Sequence, residues 1–188
     1  MIDNVKVYGL ENSFRVSKFP MSVDASKCNG DITPTIKKLG AAPRGSGHDN
    51  FLKGIVVQFD LTCTVKMWTE AERYHWFDIV SSQSTMHRIS KMDYSECFCD
   101  YVTDNTKAEM ERLKKEYEQN PCDENYLRLL YNCPTGIKLT AGITTNYQQL
   151  KTIYSQRKTH RLPEWKSLCA WIEILPHSEL ITGGNIND

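Results

Sequence analysis

Residues 54 to 66, GIVVQFDLTCTVK, alternate apolar and polar side chains with a period of two. Ile55, Val57, Phe59, Leu61, Cys63 and Val65 fall on one side; Gln58, Asp60, Thr62, Thr64 and Lys66 fall on the other. Only an extended strand turns that spacing into two faces. The chain is therefore expected to build a sheet with one face on a core. The other face, rich in Thr, Gln and Asp, is either solvated or lines a subunit interface.

The rest of the chain reads mostly as helix. Thr69-Glu-Ala-Glu72 has the capping-box form, in which a hydroxyl and a carboxylate satisfy free N–H groups of a helix start. It predicts a helix over 70–80 that buries Ala71, Tyr74, Phe77 and Val80. A second box, Thr106-Lys-Ala-Glu109, opens a helix with the stripe Met110, Leu113 and Tyr117, closed by Asn120-Pro121. Asp123 is expected to cap a short helix. Two more helices lie in TTNYQQLKTIYSQRKTHRLPEWKSL, residues 144–168, on either side of Pro163, a residue suited to a first helical turn. With an N-terminal strand this gives an α+β chain: one domain over 1–180, a long loop at 20–50 and a fraying tail at 181–188.

The 23 basic and 23 acidic residues cancel, so no global charge draws the chain to nucleic acid or acidic lipid. No apolar run is long enough to cross a bilayer. The seven cysteines are scattered without a C-x-x-C pair, which predicts reduced thiols in a cytoplasm and no metal site. Polar residues crowd two places. Thr85, His87, Arg88 and Ser90 form either a nucleotide- or partner-binding pocket or a helix end bonded to its own backbone. Asn146, Lys151, Arg157, Lys158, His160, Arg161 and Glu164 make up the corner around Pro163. Lys151, Arg157, Lys158, His160 and Arg161 are expected to present a basic face, and Arg157 with Glu164 an ion pair bracing the two last helices.

Several of these residues stand in an order that resembles the flavin-dependent thymidylate synthases, the ThyX family. They are Arg15-Val-Ser17, Gly47-His48, the long strand, Pro134, Thr144-Thr145-Asn146, Arg157 and Glu164. The resemblance implies a ThyX-like α+β fold with a central antiparallel sheet and packed helices, and a homo-oligomer, dimer or tetramer. It also exposes a departure. The family signature Arg-His-Arg-x-x-Ser-x-Asn-Glu-x-Ser-x-Arg falls on residues 80–92, where Val80, Ser81 and Ser82 replace the Arg-His-Arg and Met92 the final Arg. Phosphates need charge-assisted donors, and bidentate arginine is the usual one. The expectation is therefore a chain with no catalytic residues and no cofactor: a non-catalytic binding protein of a phage or mobile element, of the counter-defence (anti-CRISPR) type. It would engage a host defence protein or its nucleic acid. The alternative is a divergent synthase, or related pyrimidine-nucleotide enzyme acting on dUMP, that keeps FAD through His87 and Arg88. A structural oligomer without ligand is a third reading.

Overall fold

The computed structural model describes residues 1–183. Its four strands are β1 (Ile2–Tyr8), β2 (Val56–Thr64), β3 (Phe77–Ser82) and β4 (Lys138–Asn146). They form one antiparallel sheet in the order β1-β2-β4-β3. The expected alternation in β2 holds: Val57, Phe59, Leu61 and Cys63 are buried. Ala141, Ile143 and Thr145 of β4 lie on the same face. On the opposite face hydroxyls and amides meet across the strands. Gln58 Nε2 donates to Thr144 Oγ1 at 3.3 Å, and the Thr62 and Thr140 hydroxyls lie 2.7 Å apart.

Ten α-helices accompany the sheet among the described residues. They are α1 (Leu10–Ser17), α2 (Pro34–Ala41), α3 (Val65–Ala71), α4 (Thr85–Arg88), α5 (Tyr94–Cys97), α6 (Asp104–Gln119), α7 (Asp123–Tyr131), α8 (Tyr147–Arg157), α9 (Pro163–Glu173) and α10 (Glu179–Thr182). The main core lies between the buried sheet face and α3, α8, α9 and α10. A second cluster, with Ile89, Tyr94, Met110, Leu113 and Leu129, sits between α5, α6 and α7. Gly9, at φ 80, lets the chain turn from β1 into α1 where a Cβ would meet the Gly54 carbonyl oxygen at 2.3 Å.

The structure differs from the sequence expectations in five places. The helix expected over 70–80 is instead α3, which starts early because the Thr64 side chain accepts from the Met67 N–H. Thr69 does not cap; its hydroxyl donates to the Lys66 carbonyl. Phe77 and Val80 belong to strand β3, where pairing to β4 outweighs the helical spacing. The 20–50 loop contains α2, capped by Thr33 and burying Ile36. The tail does not fray from 181: Leu180 and Ile181 are buried in the main core. Residues 184–188 lie outside the described residues. Finally, α6 is capped one turn early, by Thr103, and α7 by Cys122 without a side-chain bond.

Candidate functional site

Two polar regions carry the residues singled out in the sequence, and the fold treats them in opposite ways. The first is the corner where α8, α9 and α3 meet. Arg157 is 5% exposed. Its Nε donates to Tyr74 Oη at 2.7 Å and its Nη1 to Glu70 Oε2 at 2.9 Å. The guanidinium lies 4.6 Å from the Trp165 ring centre, a cation–π stack that closes the cage. Trp165 Nε1 donates to the same Glu70 oxygen at 3.1 Å, and the Lys66 ammonium stands 3.1 Å from the other. His160 Nε2 is 3.5 Å from Glu70 Oε2. Burial works to raise the Glu70 carboxyl; Lys66 and Trp165 outweigh it and hold the group below its usual range.

Arg157 therefore does not pair with Glu164. Glu164 accepts instead from the Thr64 hydroxyl at 2.6 Å, tying the first turn of α9 to the end of β2. Nor is there a basic face. Lys151 is 7% exposed and donates to the Gly40 carbonyl at 2.6 Å, to the Ala42 carbonyl and to Asp49 Oδ2 at 3.2 Å. Arg44 and Gln148 complete a knot around Asp49, whose carboxyl is pushed up by burial but held below its ordinary range by Arg44 and Lys151. Burial in turn draws the Lys151 ammonium below its ordinary value, against the pull of Asp49. Asn146 is an N-cap, its side-chain Oδ1 accepting from the Gln149 N–H at 2.9 Å. Only Lys158, Arg161 and part of His160 reach solvent from the expected face.

The second region is the segment after β3. This is an edge strand, and α4 follows it directly. The segment is anchored from beneath. Ile89 is fully buried, the Tyr126 hydroxyl donates to the Met86 carbonyl at 2.6 Å, and the Tyr94 hydroxyl donates to the Ile89 carbonyl at 2.7 Å. With the backbone fixed, the side chains turn outward. His87 and Arg88 are exposed, Thr85 and Ser90 half-buried. Among the described residues none of these four side chains makes a hydrogen bond or ion pair within the chain, so the self-capping reading of this segment does not apply. The structure keeps Thr85, His87, Arg88 and Ser90 on one segment and gathers Arg157 and His160 around Glu70; Glu164 sits apart against Thr64, and Lys151 against Asp49.

Glu70, Asp49, Gln148 and Arg44 were not singled out in the sequence as site residues, and Tyr74 was named only as a core residue. Glu70 lies in α3 and Tyr74 just beyond its end, and nothing local announces a partner at residue 157. Among the described residues no group of three His, Cys, Asp or Glu is arranged to hold a metal, and no helix is long and apolar enough to cross a membrane.

No family model matches the sequence, and no curated protein matches it. Solved structures do match the fold. The thymidylate synthase ThyX from Helicobacter pylori with FAD and dUMP superposes with a TM-score of 0.75 at 14% identity, over 99% of both chains. A second structure of that enzyme with FAD and dUMP gives 0.73 at 12% identity, over 95% of this chain and 96% of that one. The UMP/dUMP methylase PolB from Streptomyces cacaoi, bound with 5-Br UMP, gives 0.62 at 12% identity, over 96% and 95%. The chain thus has the ThyX-like α+β fold that the order of its motifs implied. The expectation of a chain without cofactor is overturned by the same finding, because the ThyX structures it superposes on hold FAD. His87 and Arg88, the donors named for the alternative that keeps FAD, are exposed in α4 and unpaired among the described residues.

Proposed function

We propose that the protein binds flavin adenine dinucleotide and a uridine nucleotide, and acts as a divergent flavin-dependent thymidylate synthase or related pyrimidine-nucleotide enzyme on dUMP. The observation that carries the reading is the exposed, unpartnered pair His87 and Arg88, held on a rigid backbone at the edge of a ThyX-like sheet. A phosphate needs charge-assisted donors, and here they are available without breaking any internal bond. The hydroxyls of Ser81, Ser82, Thr85 and Ser90 add neutral donors beside them. The residues present therefore fit a phosphorylated ligand. Flavin, when bound, would supply hydride transfer, chemistry that side chains do not possess.

In this reading Arg88 and His87 hold phosphate and orient the ligand against the sheet edge. Arg157 keeps the α8–α9 corner rigid behind it. The polar outer face of β2 and β4 is suited to meet a second copy, and a homo-oligomer is part of the proposal. So is a cytoplasmic setting, which the seven unbridged cysteines support. The counter-defence role rested on association with phage-borne relatives alone, and the basic segment through which a partner would be engaged has Lys151 and Arg157 buried and paired. No observation favours that role.

Purified protein tests the proposal. A flavin absorption band on addition of FAD, together with a rise in melting temperature with dUMP, is the expected result. At a hundredfold excess over the dissociation constant, linkage gives about 2.7 kcal/mol of added stability, a readily measured shift. Protein that takes up no FAD and gives no shift with dUMP overturns the reading.

A further inference from the structure

A cleft of about 610 Å3 opens at the far end of the sheet, where β2 finishes and β4 begins. No residue of β3 or α4 lines it, so it is separate from the edge discussed above. Its volume falls in the range of small-molecule sites. Tyr101, Val102, Pro134, Gly136, Leu162 and Pro163 make a largely apolar wall. Into that wall is set one carboxylate, Glu164, with Arg161 and Lys66 also among the lining side chains. Glu164 stands where this cleft meets two smaller ones, of about 350 and 210 Å3.

We propose that this cleft binds a guanine nucleotide, with the base on Glu164 and the phosphate on Arg161. The Thr64 hydroxyl holds Glu164 Oε1 at 2.6 Å and so fixes the direction of the carboxylate, while Oε2 has no partner among the described residues. An oriented carboxylate accepts best from two parallel N–H donors. Guanine alone among the common bases offers such a pair on one edge, its ring N1–H beside its 2-amino group. Adenine and cytosine set an acceptor next to their amino group, and uracil flanks its single N–H with two carbonyl oxygens. Each of these three turns a lone pair toward the carboxylate. The flat apolar wall receives the ring, and Arg161, exposed and unpaired among the described residues, is the one lining cation without an internal partner. Lys66 is shared with Glu70.

The test is a thermal-shift and calorimetric titration of the full chain with GMP, guanosine, AMP and CMP at equal concentrations. GMP is expected to bind with a 1:1 stoichiometry and to raise the melting temperature, AMP and CMP to do neither, and guanosine to bind more weakly than GMP. Glu164→Gln keeps an acceptor for Thr64 but offers the ligand one donor and one acceptor, a pattern that matches adenine. It should lose about tenfold in GMP affinity and gain in AMP affinity, since a good bidentate pair carries roughly 1–3 kcal/mol of discrimination. Arg161→Ala, at an exposed position, should weaken GMP and leave guanosine unchanged. Three outcomes would each overturn the proposal: no binding of GMP, equal binding of GMP and AMP, or GMP affinity indifferent to Glu164→Gln in a folded variant. None of these readings depends on FAD or dUMP, so the result stands apart from the test of the sheet edge.

Discussion

The corner around Arg157 and the edge around Arg88 contain the same kinds of side chain and do opposite things. At the corner an arginine is surrounded by a carboxylate, a phenol and an indole, and only its Nη2 lacks a partner. At the edge an arginine and a histidine have solvent alone. A cation that is buried and satisfied cannot be removed without leaving its partners stranded, so it fixes structure. A cation that is exposed and unsatisfied costs the fold nothing to remove, so it is free to recognise a ligand. The comparison makes a quantitative claim: substitutions at the corner should register in stability, and substitutions at the edge should register in binding.

The largest expected effect is at the corner. Arg157→Ala leaves Glu70 half-paired and empties the stack on Trp165. Breaking a buried pair from one side costs about 3 kcal/mol or more. For a chain of this size the melting temperature should fall by about 6–12 °C, from roughly 2–4 °C per kcal/mol. A calorimetric scan checks it, and an unchanged midpoint would remove the corner's claim to be structural.

Next comes the knot that ties the loop before β2 to α8. Asp49→Asn removes the anion that Lys151 and Arg44 share. Lys151 keeps two backbone carbonyls, so the loss should be smaller, about 2 kcal/mol in denaturant unfolding. The same residue sets a pH dependence. Its folded-state carboxyl lies below the unfolded value, as does that of Glu70. Both therefore add stability that is present above the unfolded carboxylate range, near pH 4, and lost as pH falls through the lower folded values. Urea midpoints measured from pH 6 downward should decline below about pH 4 in the parent chain, and less steeply in Asp49→Asn.

How much of this contrast was legible in the sequence depends on how local each cause is. The alternation from Ile55 to Cys63 was readable because one buried face imposes a strict period of two. Strand β3 was not, because Ala71, Tyr74, Phe77 and Val80 happen to keep helical spacing, and only pairing with β4 decides between the two. Strand β4 shows its buried face through Ala141, Ile143 and Thr145, too small and too polar a set to announce a core strand; the antiparallel sheet came with the family resemblance. The polar crowd near Pro163 was found, but its pairing was not. Glu164 is near Arg157 in sequence, whereas the partner the fold selects, Glu70 in α3, lies 87 residues away along the chain. The bracing role expected of Arg157 stands with a different partner, which the sequence could not name because burial is a property of the assembled core.

The smallest effect on stability belongs to the edge, and there the comparison is sharpest. His87→Ala with Arg88→Ala removes no internal bond, so unfolding free energy should stay within about 0.5 kcal/mol of the parent. Ligand binding should respond in the other direction. A hydrogen bond to a charged group contributes about 1.5–3 kcal/mol, so affinity for FAD or dUMP should fall by roughly tenfold to a hundredfold. Arg88→Lys should recover part of it, because an ammonium keeps the charge and loses the bidentate geometry. If the double variant melts several degrees lower yet binds as before, then the edge is a brace after all, and the distinction between the two regions fails at the point where it was drawn.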